Sequence, residues 1–142
     1  NGYLVGEYKN RRNQVGNIQT ALPEEVYDRM STLIGDYNEK INHTLYDLTV
    51  FHSQFEMIHP FQDGNGRTGR IILFKECLKN NIIPFIVNDV NKADYYHALF
   101  TSLNKDYVSL FDFFQKEQKA FKKLSEGFII PYDDLKKDYI EQ

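Results

Sequence analysis

The sequence has little of what several classes of protein require. It contains one cysteine, Cys77, which allows neither an internal disulfide nor a zinc site built from several thiolates. We expect this thiol to be reduced and buried, and the protein to be cytoplasmic. The apolar runs, such as IILF at 71–74, are far too short to cross a bilayer, and no secretory signal is present. The first residue is Asn1 rather than Met, so we expect a piece of a longer chain.

A surplus of positive charge is also missing. The 17 Lys and Arg residues are outnumbered by 20 Asp and Glu, which gives a formal net charge of −3. A non-specific nucleic-acid binder would show a broad basic surplus, so direct nucleic-acid binding is not expected. Apolar residues are plentiful at 42%, with eleven Phe and ten Tyr. A chain of 142 residues with this content is expected to form one domain around a packed core.

Hydrophobic spacing predicts five helices. Pro23 is typical of the first position of a helix, and apolar residues follow it at steps of three and four. Pro60 should end the second helix, because the residue before a proline is pushed out of helical geometry. The first helix is predicted to begin at Pro23, the second to end before Pro60 and the third to follow the glycine-rich stretch 64–69. The fourth should span about 92–103, and the fifth should run from about 106 to Gly127. The apolar segment 82–87 is interrupted by Pro84 and is interpreted as an extended connection.

The first twenty residues are predicted to form a β-hairpin flap. They show little helical periodicity and hold three glycines. Short extended pieces around Tyr8 and around 15–18 would be joined by the polar turn KNRRNQ (9–14). The sequence therefore predicts a mainly α fold with a small N-terminal β-hairpin, in a single domain over 1–142. Within it the flap covers about 8–18, the core helices about 23–125 and a charged tail 128–142.

The stretch HPFQDGNGRTGR, residues 59–70, is suited to binding phosphate groups. Gly64-Asn65-Gly66 can turn successive backbone N–H groups toward one anion. A helix predicted to begin near Arg67 would add its positive dipole end at the same point. Arg67 and Arg70 lie three apart, so both guanidinium groups can face that point and grip phosphate oxygens. Two arginines and a bare backbone turn suit a polyphosphate better than a single carboxylate.

Two further side chains of this stretch suggest a reaction. Asp63 would be repelled by phosphate unless a cation lies between them, and Mg²⁺ shared by a carboxylate and phosphates is the usual solution. His59, released at the end of a helix, can bring a titrating imidazole to the same pocket. A base beside a bound phosphate group predicts activation of a hydroxyl for attack.

Other phosphate-binding motifs fit less well. Gly64, Gly66 and Gly69 match G-x-G-x-x-G, and Asp89 lies about twenty residues further on. That dinucleotide-binding motif must follow a strand, whereas the residues before Gly64 have helical periodicity. A Walker loop is excluded because the chain has no Gly-Lys-Ser/Thr triplet.

The spacing H-x-F-x-D-G-N-G-R-x-x-R resembles the motif of the Fic family at every defined position. The flap segment KNRRNQVGNI, the helix that leads into His59 and the segment YYHAL (95–99) also fall where Fic domains carry corresponding pieces, so the resemblance covers roughly residues 3–125. It implies a compact Fic-type helical domain that transfers AMP from ATP to a hydroxyl of a target protein.

The resemblance implies a role for each motif residue. His59 would deprotonate a Tyr, Thr or Ser hydroxyl of the target, and Phe61 would anchor the loop in the core. Asp63 would hold Mg²⁺ on the α- and β-phosphates of ATP. Within the motif, the resemblance implies that Asn65 orients the α-phosphate, Arg67 meets the β-phosphate and Arg70 meets the γ-phosphate. The nucleotide-binding residues implied for the motif are Gly64, Asn65, Gly66, Arg67 and Arg70.

Outside the motif, the resemblance implies a flap that lines the nucleotide site and pairs with the backbone of the target protein. The flap residues concerned are Val15, Gly16, Asn17 and Ile18. Tyr95 stands where such domains wall the adenine pocket, although helical spacing also places Tyr95, Tyr96 and Leu99 in the core. His52 lies on the same helical face as His59, and a hydrogen-bonded structural role is favoured over metal binding for it.

Many Fic domains are silenced by a helix with the pattern [S/T]-x-x-x-E-[G/N], whose Glu pairs with the second arginine of the motif. Glu126-Gly127 matches its end, but position 122 is a lysine, so the pattern fails. An inhibitory helix is then expected in a missing segment or in another chain, or this domain is not held that way and is active on its own.

Other activities on this scaffold stay open. Doc-like relatives phosphorylate their targets, but their motif has a lysine where Gly66 stands, so Gly66 favours AMP transfer. Removal of AMP from a target would need the same His59 and Asp63. A nucleotide-binding module without catalysis is the remaining alternative, and the intact His59 argues against it.

Overall fold

The computed structural model describes residues 5–126, which form a helical domain that begins with a small hairpin. Its elements are β1 Gln14–Val15, β2 Ile18–Gln19, α1 Pro23–Asn38, α2 Leu45–Ile58, α3 Asn65–Lys79, a 3-10 turn Asp89–Asn91, α4 Lys92–Ser102 and α5 Val108–Ser125. The mainly α fold with an N-terminal β-hairpin is confirmed. The predicted helix end at Gly127 and the charged tail 128–142 lie outside the described residues.

Local capping explains where the first two helices begin. Ahead of α1, the Glu25 carboxylate accepts a hydrogen bond of 2.8 Å from the Leu22 N–H, and Pro23 fills the first helical position. Thr44 and Asp47 form a reciprocal capping box at the start of α2, with bonds of 3.0 and 3.1 Å. Among residues 5–126, no helix combines the length and apolarity needed to cross a membrane.

Helix α2 runs through the middle of the domain and contributes to two hydrophobic clusters. On one side, Phe55 and Ile58 pack with the buried face of α1. On the other side, Leu48 packs with residues of α3, α4, α5 and the connection that carries Phe85. Cys77 on α3 is fully buried in this second cluster, as expected, and burial raises the pKa of its thiol to about 11. The buried α2 is the rigid element that ends at His59.

The hairpin differs from the sequence prediction in where it turns. Gln14 pairs with Gln19 and Val15 with Ile18, so the turn is Gly16-Asn17 and not KNRRNQ, and Tyr8 belongs to no strand. Gly16 adopts a φ of 57°, which a two-residue hairpin turn requires and which glycine adopts without strain. Gly16 also packs against the Phe100 ring of α4, where a side chain would collide. The predicted position of the turn was wrong because residues 9–13 form hydrogen bonds to the loop that connects α2 to α3.

Candidate active site

The loop that carries the motif connects α2 to α3. Helix α2 ends with His59 in the left-handed conformation (φ 51°, ψ 61°), and its N–H still donates to the Phe55 carbonyl at 2.9 Å. Gly64 adopts φ 79° as the residue before α3, which therefore begins at Asn65 and not near Arg67 as predicted. These two left-handed residues turn the chain back, so that α3 packs against α2 with its N-terminus next to His59.

Asn65 holds this loop closed from inside. Its side chain is buried, its Oδ1 accepts from the Phe61 N–H at 2.8 Å, and its Nδ2 donates to the Phe61 carbonyl at 2.7 Å. The Phe61 ring packs against the cluster of α1 and α2, as expected for a core anchor. With its amide so engaged, Asn65 contributes a backbone N–H to the uncapped start of α3. Its role in orienting an α-phosphate stays a prediction.

The segment that was predicted to be a turn clamps the same loop from outside. The Lys9 N–H donates to the Pro60 carbonyl at 2.8 Å, and its buried ammonium donates to the Ile58 carbonyl at 3.1 Å. The Asn13 amide nitrogen donates to the carbonyls of His59 and Phe61 at 3.2 and 2.8 Å. Burial lowers the pKa of Lys9 to about 8. Lys9 and Asn13 were missed because nothing in a polar run shows which carbonyls, 46 to 49 residues away, it will contact.

This clamp gives a testable result. Asn13→Ala removes two donors to the motif loop and the Asn13 Oδ1 that accepts from the buried Lys9 ammonium at 2.6 Å. Because the substitution removes these three hydrogen bonds, one of them from a buried ammonium, we expect a loss of about 2 kcal/mol in the free energy of unfolding, measured by urea denaturation. Asn10→Ala is the matched control, since Asn10 is exposed. Equal stability of the two variants would contradict the clamp.

His59 has the environment of a general base. Its side chain is 17% exposed, and burial is the main reason why its pKa lies below the ordinary value. Its Nδ1 lies 3.2 Å from the backbone carbonyl of Glu56 and 3.6 Å from a carboxylate oxygen of the same residue. A carbonyl can only accept, so this contact requires the hydrogen to be on Nδ1. The neutral ring then keeps a lone pair on Nε2 for accepting a proton.

The N-terminus of α3 forms a side of the cavity that is suited to binding an anion. No side chain caps this helix, so its first backbone N–H groups are free to bind an anion. Asp63 accepts a 2.7 Å hydrogen bond from the Gly64 N–H, while its other oxygen lies 3.8 Å from the Arg67 guanidinium. Both of these charged side chains are about three quarters exposed, at 73% and 76%, so the ion pair is loose. Each group is available to a ligand.

Arg70 lies in the second turn of α3 and lines the cavity. Its guanidinium carbon is 5.8 Å from the centre of the Tyr95 ring, a cation–π arrangement that fixes the side chain. A β-carbon at position 66 would lie 3.0 Å from Arg70 Nη1, so Gly66 leaves the space that the guanidinium uses. A lysine at this position would crowd both Arg70 and the helix N-terminus.

Tyr95 itself is almost completely buried, 1% exposed, and its hydroxyl is 2.6 Å from Nε2 of His52. This pair lies in the core next to Phe114, and burial lowers the pKa of His52 to about 4. His52 is thus a hydrogen-bonded structural residue, as favoured. Tyr96 does not point into the core as predicted, because it is 40% exposed on the neighbouring face of α4. Together with Phe100, Tyr96 offers a more accessible aromatic surface than Tyr95 for stacking with a planar ring.

These groups surround one cavity of about 660 Å³, a size that suits a nucleotide. Of the residues predicted from the sequence, those that line it are Val15, Gly16, His59, Asp63, Gly64, Asn65, Gly66, Arg67, Arg70 and Tyr95. Asn17 and Ile18 do not, so the hairpin reaches the cavity through Val15 and its turn. Residues that sequence reasoning missed also line it, and they are Asn13, Gln14, Glu56, Gln62, Tyr96 and Phe100.

A divalent cation at this site would depend on Asp63. Within residues 5–126 no group of three or more His, Cys, Asp or Glu side chains could hold a metal ion by itself. Mg²⁺ is usually held by one or two carboxylates together with substrate phosphates and water. An exposed carboxylate next to a free helix N-terminus fits that arrangement and does not fit a cage made of protein ligands alone.

The comparison with known families agrees with this geometry. The model of the Fic/DOC family matches residues 1–76, which is more than half of the chain and includes the whole motif. The chain belongs to the Fic/DOC family. Protein adenylyltransferase fic-1 of Caenorhabditis elegans is 26% identical over 98 residues, which are 67% of this chain and 19% of that protein. A probable protein adenylyltransferase of Aquifex aeolicus is 40% identical over 62 residues, 44% of this chain and 19% of that protein.

Solved structures show the same fold. A Fic domain containing signaling protein from Bacteroides thetaiotaomicron superposes with a TM-score of 0.78 at 21% identity, over 87% of this chain and 55% of that one. Fic-1 from Caenorhabditis elegans gives a TM-score of 0.67 at 24% identity, over 84% and 37%. The chain spans about a fifth of the length of the curated relatives it matches.

Proposed function

We propose that this Fic domain is a protein adenylyltransferase, which transfers AMP from Mg-ATP to a Tyr, Thr or Ser hydroxyl of a target protein. The observation that carries the proposal is the content of the cavity: a neutral His59 with a free Nε2, an uncapped helix N-terminus and the two guanidinium groups of Arg67 and Arg70. The names of the curated relatives support the same type of reaction.

In the proposed reaction, the target hydroxyl gives its proton to Nε2 of His59. The hydroxyl oxygen forms a bond to the α-phosphorus of ATP, the bond between that phosphorus and the bridging oxygen breaks, and pyrophosphate leaves. The N–H groups at the start of α3 bind the phosphates, and Arg67 neutralises the charge that grows on the leaving group. Arg70 would contact the γ-phosphate. Mg²⁺ held by Asp63 would neutralise phosphate charge.

The walls of the cavity suggest where the other substrate parts lie. We assign the adenine to the side where Tyr96 and Phe100 expose aromatic surface above the buried Tyr95. The β-hairpin forms the rim on the same side, since Gly16 packs on Phe100. Its two short strands leave an outer edge to which an extended segment of a target could add.

The reaction class can be decided with ATP labelled at either the α- or the γ-phosphate. Compared with the lysate alone, we expect the added chain to increase the label retained from the α position only, because Gly66 leaves the phosphate turn unobstructed for AMP transfer. The same chain with His59→Ala should add no label. Retention from the γ position would instead show phosphorylation, and retention from neither would show a binding module.

A further inference from the structure

Glu56 is a buried acid that the proposed reaction does not yet use. It is only 3% exposed, lies one helical turn before His59 on α2 and lines the nucleotide cavity. One carboxylate oxygen, Oε2, lies 3.6 Å from Nδ1 of His59. The other, Oε1, has no hydrogen-bond partner among the described residues. A buried carboxyl group without full hydrogen bonding is costly, so its presence at this point calls for a physical account.

The packing around Glu56 is shaped to keep the carboxyl group there. Gly69 of α3 faces it, and a β-carbon at that position would collide with Glu56 Oε1. The same missing side chain brings α3 close to Phe55 and His52 of α2. The carboxyl group is therefore held between two packed helices, with His59 on its open side.

We propose that Glu56 is a positioning residue for His59, whose carboxylate stabilises the imidazolium that forms when His59 accepts the proton of the target hydroxyl. The proposal rests on the proposed function. The Glu56 carbonyl already fixes the hydrogen on Nδ1, so the proton enters at Nε2 and the positive charge then lies next to Glu56 Oε2. The arrangement is analogous to the carboxylate that orients the histidine of a serine protease.

The charges around Glu56 and His59 allow the Glu56 carboxyl group to ionise when His59 becomes protonated. Burial raises its pKa to about 7, and Arg70 of α3 opposes this rise. Lys9, on the N-terminal segment, acts on His59 in the direction that lowers its pKa. The remaining titratable neighbours are His52 on α2, which burial keeps neutral, and Tyr95 on α4, whose hydroxyl also has a raised pKa. A proton on His59 would then favour the ionised form of Glu56, so the two groups titrate as a pair.

The decisive experiment needs no enzyme activity. The imidazole of His59 is titrated by NMR in the nucleotide-free chain, first unchanged and then with Glu56→Gln, which keeps the size of the side chain and removes its charge. We expect the pKa of His59 to fall by about one unit in the variant. Glu117→Gln is the matched control, because Glu117 is a buried acid on α5 that accepts from Asn91 and does not line the cavity. An unchanged His59 titration in Glu56→Gln would overturn the proposal.

Kinetics separate this role from simple packing. We expect Glu56→Gln to lower kcat for AMP transfer roughly tenfold or more, as for loss of one charge-assisted interaction, with KM for ATP little changed. In the unchanged chain we expect the rate to rise with pH near 7, where Glu56 ionises. This rise should be absent from the Glu56→Gln variant, and Glu56→Asp should have a higher rate than Glu56→Gln. An unchanged kcat and pH profile would contradict the proposal. If the unchanged chain transfers no AMP, the proposed function fails, while the NMR titration still decides whether Glu56 acts on His59.

Discussion

Replacing His59 with alanine is expected to lower the rate of AMP transfer by about 10²–10⁴-fold, the usual contribution of a general base. The variant should still bind ATP, with a dissociation constant within about threefold of the unchanged chain. The reason is that the groups assigned to the phosphates, the N-terminus of α3 and the two arginines, do not depend on the imidazole. Loss of rate without loss of binding marks an interaction made only in the transition state.

The two quantities are measured separately. The rate comes from single-turnover transfer to a target or to the chain itself, followed by mass spectrometry. Binding comes from calorimetry with an ATP analogue that cannot be cleaved between the α- and β-phosphates. His97→Ala is the matched control, since His97 is exposed on α4 and does not line the cavity. Loss of ATP binding in His59→Ala would mean that the imidazole supports the loop and would count against its role as the base.

The features that the sequence predicted well are those that depend on residues close together in the chain. The end of α2 follows from Pro60, the start of α1 from Pro23, and the crowding of Asp63, Gly64 and the arginines from their spacing alone. The structure brings nearly all of these residues to one cavity because two left-handed residues, His59 and Gly64, fold a short stretch of chain around a single point. In such a tight turn, residues that are close in sequence must also be close in space, so their spacing alone was enough to predict the site.

What the sequence did not predict depends on distant contacts. Lys9 and Asn13 act through the backbone carbonyls of residues 58–61, and their own residue types indicate only a polar surface turn. Glu56 occupies a position on α2 that faces α3, but only the packing of Gly69 shows that its carboxyl group is buried. Tyr95 and Tyr96 are adjacent, and helical spacing alone did not decide which of them faces the core. In each case the missing information was which part of the chain lies opposite.

Changing Glu56 to glutamine should make the domain more stable at pH 8, by about 3 kcal/mol in the free energy of unfolding. The folded-state pKa of about 7 lies above the unfolded value of 4.5, and each unit of difference corresponds to about 1.4 kcal/mol. A raised carboxyl pKa means that folding favours the protonated form. The contribution to stability is therefore intact below pH 4.5, decreases as the pH rises through 7 and is lost above it. Glutamine stays neutral throughout, so the variant escapes this loss.

The comparison is made by urea unfolding of both chains at pH 4.5, 6 and 8, where the titrating groups that do not interact with Glu56 cancel in the difference. The two chains should be almost equally stable at pH 4.5 and diverge as the pH rises, while Glu7→Gln, an exposed control, should follow the unchanged chain. A variant that is no more stable at pH 8 would show that Glu56 is not strained in the folded state. A variant that gains stability and loses transfer rate would show that the carboxyl group is held there at the expense of folding, as functional groups often are.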